Sequence, residues 1–427
     1  MLYHLFDWLK EEGIRFSGIE LFRFITFRTL MAVLLSLFIS LVYGKKLMRF
    51  LQARQFGEGV RDLGLAGEHL KRDTPTMGGI IILLAILIPT LLLANLSKVY
   101  VQLMLISTLW LGVIGFIDDY LKLRGKRRAQ AKGEAYKKSD DDGLAGRFKI
   151  LGQVGLGLIV GATLYFNSEV KIWREYMGTP QQAQADSTVI VKNVNGQAKY
   201  YVETKTPITT IPFVKNHEFN YSKLLPESLR SYDWILYLLV VIFIITAVSN
   251  GANLTDGLDG LATGTSALIG VLLGIFAYAS GNLVIADYLN IMYIPDLGEL
   301  SVFIAAMIGA CVGFLWYNSY PAQMFMGDTG SLTLGGIIAA LAIIVHKELL
   351  IPIFCGVFLV EALSVMIQVS YFKYTKRKYG IGRRLFLMAP IHHHFQKQGY
   401  HEVKIVNRFW IVTVLLVILS IVTLKIR

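Results

Sequence analysis

Cysteine is scarce in this chain: two residues in 427, Cys311 and Cys355, both inside apolar blocks and neither at a metal-ligand spacing. A disulfide framework and a thiolate metal site are therefore excluded as organising features. Charge is also sparse, at 17% of residues against roughly 25% in an ordinary soluble domain. Hydrophobic residues make up 54% and the mean hydropathy is +0.52. The apolar residues fall in blocks of about twenty with the charges confined between them, the length a helix needs to cross a bilayer core. This pattern excludes a soluble multi-domain enzyme, a coiled coil and a disordered chain. A cleavable leader is not expected, because the stretch Met1 to Lys10 is amphipathic and mixed in charge and the first long apolar block begins near Leu21.

What remains reads as an all-α polytopic membrane protein, one integral membrane domain over 1–427, with ten spans near 21–43, 78–96, 99–117, 148–166, 234–249, 262–280, 300–317, 332–345, 350–371 and 409–424. The net charge of +12, from 42 basic and 30 acidic residues, is expected to come from loops held on the cytoplasmic side rather than from nucleic-acid binding. Lysines and arginines crowd the connections after spans one, three and nine, so these share a side. By the positive-inside rule that side is the cytoplasm and both termini lie outside. The segment 167–233 falls outside despite its lysines, since long loops translocate regardless of charge. Within it, STVIVKNVNGQAKYYVETKT reads as a β-hairpin turning at Asn195-Gly196, so a small extracytoplasmic insertion is expected.

Polar clusters collect at the cytoplasmic ends of the spans. They are KRDTPTMGG with Lys71 and Thr76, GFIDDY with Asp118 and Asp119, and SNGANLTDGLDG with Asn253, Asp256 and Asp259. NSYPAQMFMGDTG follows with Asn318, Phe325 and Asp328, then APIHHHF with His392 and His393. An aspartate at a helix centre costs roughly 2.5–3.5 kcal/mol on insertion scales, and placement at span ends removes most of that. Five carboxylates near one plane repel unless a cation sits among them. Carboxylate oxygens beside basic loops suit Mg²⁺ bridging a phosphorylated ligand. Plainer readings stand beside this one. Asp118-Asp119 can be a solvated terminus, although negative charge at a helix C-terminus is unfavourable. Asn253, Asp256, Asp259 and Asp328 can be caps, and a capped N-terminus is also an anion site. The histidines can be an idle surface tract or a phosphate contact. Lys71 is basic on orientation grounds alone. Phe325 can be core or can stack on a nucleobase. Glu361 and Gln368 share a face of span nine, and an intramembrane carboxylate is a site candidate, although pairing with a neighbouring helix explains it equally.

In order along the chain, TPTMGG, FIDDYLK, NLTDGLDGLATG, PAQMFMGDTGSLTLGG and PIHHHFQ resemble the polyprenyl-phosphate N-acetylhexosamine-1-phosphate transferase superfamily. The triple histidine makes them more similar to its phospho-N-acetylmuramoyl-pentapeptide transferase branch than to relatives using UDP-N-acetylglucosamine. The resemblance implies a ten-helix bundle with a cytoplasmic cleft, usually a homodimer in the bacterial inner membrane. It implies transfer from UDP-N-acetylmuramoyl-pentapeptide to undecaprenyl phosphate with Mg²⁺, giving lipid I and UMP. It further implies Asp118, Asp119, Asp328 and His393 as catalytic residues, with Asp328 and Asp118 at the metal and His392 beside the diphosphate. Lys71, Asn253, Asp256 and Phe325 would line the nucleotide pocket, with Thr76, Gln368, Asp259 and Asn318 around it. Two stretches depart from the family pattern: 167–233 is longer than the usual loop, and 377–384 is extended. A secondary transporter is the rival class, but transporters place charges near the midplane in repeated halves, and neither feature is visible here.

Overall fold

The computed structural model describes residues 1–13, 19–53, 74–131, 144, 146–176, 189–194, 196–205, 207–211 and 218–423. It is predominantly helical. The helices are α1 (Leu2–Glu11), α2 (Ile25–Ala53), α3 (Gly79–Leu93), α4 (Val99–Ala131), α5 (Gly146–Phe166), α6 (Asp233–Thr255), α7 (Leu261–Ser280) and α8 (Leu283–Leu289). They continue with α9 (Leu300–Asn318), α10 (Gly327–Ile344), α11 (Gly356–Tyr379), α12 (Ile391–Lys397) and α13 (Glu402–Val422). Among the described residues nine helices are long and apolar enough to cross a membrane, and α3, at 15 residues, is a shorter apolar one at the second expected span.

Several helices outrun the apolar blocks that announce them. α2 continues through Lys45, Lys46 and Arg49, and α4 runs on past Asp118, Asp119 and Lys122. Hydropathy marks only the stretch that suits lipid; a helix continues until a Gly, a Pro or a lost partner stops it. The ninth expected span is broken instead into a single turn, Ile351–Phe354, and α11.

α9 and α10 form the centre of the bundle and are buried over most of their length, whereas α2, α11 and α13 present apolar faces outward. Small residues let the inner helices approach closely. A Cβ on Gly79 would lie 2.2 Å from the Gly330 backbone N, and one on Gly115 would lie 2.4 Å from the Asp328 carbonyl O. These contacts press α3 and α4 against the first turn of α10. A bidentate ion pair between Arg28 and Glu299, with Arg28 also donating to the Leu93 carbonyl, ties α2 to the segment before α9.

Between α5 and α6 lie the strands β1 (Ile172–Glu175), β2 (Val189–Val194), β3 (Gln197–Thr204), β4 (Ile208–Thr210) and β5 (Glu218–Asn220). β2 and β3 pair antiparallel from Val189↔Val202 to Val194↔Gln197, the hairpin that the alternation announces, and β1 adds to the other edge of β3. β4 pairs with β5 and docks on the connection after α10: His346 Nδ1 donates to the Ile208 carbonyl at 2.7 Å, the Lys347 ammonium to Thr210 Oγ1 at 2.7 Å, and the Tyr221 hydroxyl to Glu348 at 3.0 Å.

Candidate active site

At the opposite end of the bundle, oxygen atoms of Asp118, Asp119 and Asp328 lie within 4.8 Å of one another. Asp118 and Asp119 come from α4, and Asp328 from the first turn of α10. Gly327 (φ +73°) makes the turn that starts α10. Asp119 then seals that turn: its Oδ1 accepts from the Asp328 N–H at 3.0 Å, and its Oδ2 accepts from the Thr329 N–H and hydroxyl at 2.9 and 2.7 Å. A carboxylate on otherwise unpaired N–H groups at a positive helix end is favourable on both hydrogen-bonding and dipole grounds.

Two lysines counter the remaining charge. Lys122 lies 2.6 Å from Asp118 Oδ2 and 3.1 Å from Asp328 Oδ2, and Lys149 lies 2.9 and 2.5 Å from the same two atoms. Asn253, from the last turns of α6, donates to Asp328 Oδ1 at 2.9 Å and to Ser331 Oγ at 2.8 Å. Asp118 Oδ1 accepts from the Leu144 N–H at 2.7 Å. Neither lysine is singled out by the sequence reading. Lys122 stands four residues after Asp118, hence on its helical face, while Lys149 was hidden as one charge inside an expected span.

The other motifs surround this centre. Thr76 is buried, and a Cβ on Gly327 would lie 3.1 Å from its hydroxyl. The segment 75–79 is zipped to 325–326: the Phe325 N–H donates to the Pro75 carbonyl, and the Gly78 and Gly79 N–H groups donate to Phe325 and Met326. Phe325 keeps a partly exposed ring. Asn318 is buried, accepts from the Gly260 N–H and the Thr263 hydroxyl, and donates to the Met324 carbonyl. Asp259 accepts from the Ala322 N–H, and its own N–H donates to Glu402. Both thus join the start of α7 to the loop before α10. Asp256 ends α6, half-buried. His392 is fully buried, with Nδ1 3.0 Å from Glu361 Oε2, so the intramembrane carboxylate finds its partner on α12. His393 is half-buried and bonds Gln396. Gln368 grips the backbone of Leu385 and Phe386 with both ends of its amide. Lys71 lies outside the described residues.

Fold and site together define a class: a multi-span helical membrane protein in which the buried interior of α4 and the first turns of α5 and α10 bring carboxylates and lysines together, the three carboxylates close enough to hold a metal ion. The Asp118-Asp119 pair is thus not the helix terminus that the end of the apolar block suggests. Residues 190–346 match the family model described as glycosyl transferase family 4, and residues 71–83 match phospho-N-acetylmuramoyl-pentapeptide-transferase signature 1. Over the whole of both chains the sequence is 54% identical to the phospho-N-acetylmuramoyl-pentapeptide-transferase of Flavobacterium psychrophilum, 55% to that of Amoebophilus asiaticus and 49% to that of Porphyromonas gingivalis ATCC 33277. The chain belongs to the phospho-N-acetylmuramoyl-pentapeptide-transferase family.

Proposed function

We propose that this chain transfers phospho-N-acetylmuramoyl-pentapeptide from its UDP conjugate to undecaprenyl phosphate, forming lipid I and UMP in peptidoglycan synthesis. It would do so as a homodimer in a bacterial cytoplasmic membrane, with the acidic end in the cytoplasm and the termini outside, the orientation the loop charges favour. One observation carries the reading: Asp118, Asp119 and Asp328 converge with Lys122 and Lys149 where the interior of α4 meets the first turns of α5 and α10, helices from distant parts of the chain.

The donor set fits Mg²⁺. Oδ2 of Asp118 and Oδ2 of Asp328 are hard oxygens whose partners are ammonium groups rather than backbone, so a second kind of cation can take the same place. Asp328 and Asp118 would hold the ion, which when bound screens the phosphates from one another and stabilises charge on the departing nucleotide.

The side chains do the rest. A phosphate monoester has its second pKa at about 6, so the lipid phosphate is already mostly dianionic at neutral pH and a strong general base adds little. The obstacle is bringing two anions together, and Lys122 and Lys149 offset that charge. Asn253 holds the orientation of Asp328 through its other oxygen. Asp119, spent on the first turn of α10, keeps Asp328 in place. His393 borders the diphosphate, while His392, fully buried between Glu361 and Gly257, has no free face for it and instead positions the helix that carries His393. Lys71, Thr76, Asp256 and Phe325 form the nucleotide pocket, Phe325 stacking on uracil, and Asn318, Asp259 and Gln368 brace the loops around it.

The test is incubation of purified protein with radiolabelled UDP-N-acetylmuramoyl-pentapeptide, polyprenyl phosphate and Mg²⁺. A butanol-extractable labelled lipid that EDTA suppresses is expected, and Asp328→Asn lowers its rate roughly a hundredfold or more with helix content unchanged. Near-normal turnover by Asp328→Asn would remove the metal assignment. Labelling from UDP-N-acetylglucosamine in place of the muramoyl substrate would favour the other branch of the superfamily.

A further inference from the structure

Beyond the site, the chain from Ala362 to His401 contains no aspartate or glutamate and seven lysines and arginines. The basic residues gather in the last turn of α11, at Lys376, Arg377 and Lys378, and in the return segment after it, at Arg383 and Arg384, all exposed. Between them stand large apolar side chains that the rest of the protein leaves uncovered: Ile381 is 73% exposed, and Leu385 and Leu387 are each 53% exposed.

This hairpin is preformed rather than loose. Gly380 (φ +72°) ends α11 and reverses the chain. The Arg383 N–H donates to Thr375 Oγ1 at 2.8 Å, and Gln368 takes the Leu385 and Phe386 N–H groups at 3.0 and 2.9 Å. The return segment then runs into the histidine helix: the Leu387 N–H donates to His394 Nδ1 at 3.1 Å, and the Phe386 ring meets the His394 ring edge-on at 5.8 Å. A rigid projection with cations and bulky apolar groups on one exposed surface, continuous with a membrane-spanning helix, has the composition of a segment lying at a bilayer interface. A second copy of this chain is disfavoured as the occupant, because it would oppose cation to cation with no acidic residue to relieve them.

We propose that the 379–388 hairpin is a docking surface for the headgroups of anionic phospholipids, with Ile381, Leu385 and Leu387 set among the upper acyl chains, and that docking steadies α12 and its histidines. The assignment to the cytoplasmic leaflet rests on the orientation proposed above; the docking itself does not.

Because Cys311 and Cys355 are buried, a cysteine introduced at Ile381 can carry a polarity-sensitive maleimide dye, with the labelled parent chain as background. In nanodiscs, replacing dioleoylphosphatidylcholine by dioleoylphosphatidylglycerol is expected to shift the emission to the blue and protect the dye from iodide, and added salt partly reverses both. With Lys376, Arg377, Arg383 and Arg384 changed to Gln, the response weakens by about fivefold for each charge removed. Arg377→Lys, Arg383→Lys and Arg384→Lys together keep the charge and keep the response, which separates lost attraction from lost folding. Equal emission in the two lipids, a Gln variant that responds like the parent, or a signal that grows with protein density would each overturn the docking. Labelling of the Ile381→Cys chain by an impermeant maleimide on intact cells would overturn the orientation, leaving the nanodisc result to judge the docking separately.

Discussion

Gly327 shows how much the acidic centre depends on one backbone position. Its φ of +73° lies in the left-handed region, and a Cβ there would sit 2.6 Å from Asp119 Oδ2. Gly327→Ala therefore adds about 1–2 kcal/mol of backbone strain and pushes Asp119 off the turn that carries Asp328. The expected outcome is a loss of transfer activity of at least about tenfold, with circular dichroism unchanged and a lowered midpoint of thermal unfolding. Normal turnover would show that the Asp119 seal is dispensable. The GDTG motif made Asp328 and its turn legible in sequence. The use of Asp119 as the seal was not legible, because the DD pair closes an apolar block and reads as a helix terminus, whereas α4 continues to Ala131 and nothing along it discloses which neighbouring helix starts beside it. Lys149 was hidden for the same reason: nothing in its own surroundings along the chain reports two carboxylates from other helices.

At the scale of elements, α12 is placed by α11 and by the bend after α6. Glu361 of α11 holds His392 through Nδ1, and the opposite ring nitrogen occupies the space left by the missing side chain of Gly257, where a Cβ would lie 2.2 Å from Nε2. Gly257→Ala must displace the imidazole or the bend. A displacement of about 1 Å can cost a hundredfold in rate, so a fall in kcat of that order is expected, with the KM for the nucleotide substrate changing much less. If KM rose and kcat held, α12 and its histidines would serve nucleotide binding rather than the reacting diphosphate. The long apolar helices were legible one by one from apolar blocks, whereas the short α1, α8 and α12, which match no expected span, were not. The ends of the helices were not, since α2 and α4 carry charged residues well past the bilayer-like stretch, and the ninth expected span is broken at Cys355 by a turn that hydropathy does not register.

For the whole molecule, the insertion is held at the end remote from the acidic centre by His346, Lys347 and Glu348, all buried. Burial pushes the His346 imidazole down to about 4 and the Glu348 carboxyl up to about 7, while Lys347 falls to about 8 and stays charged across the acidic range. The neutral imidazole stabilises docking above its unfolded value of 6.5, and that contribution is lost as pH falls towards 4. The protonated carboxyl acts in the opposite sense, its contribution being full below 4.5 and lost as pH rises to about 7. Between 4.5 and 6.5 the two slopes oppose, so docking of the insertion changes little with pH. Glu348→Gln removes one slope: protection of the Thr210 amide, bonded to the His346 carbonyl, should then fall with pH by up to about 3 kcal/mol between 6.5 and 4. Hydrogen exchange reads this directly, and a flat trace in the variant would show that His346 is not held neutral.

Composition and block length determined the membrane-spanning helical class, and the ordered motifs determined the family resemblance, because both are properties of neighbouring residues along the chain. The antiparallel hairpin of the insertion belongs with them, its strands and turn lying within one short stretch. Only the tertiary structure decided that Asp119 seals the helix carrying Asp328, that Lys122 and Lys149 bridge two carboxylates, and that Glu361 orients His392. Each of these joins groups far apart in sequence, and their distances are set by the close approach of glycine-bearing helices, which periodicity along a single helix does not encode.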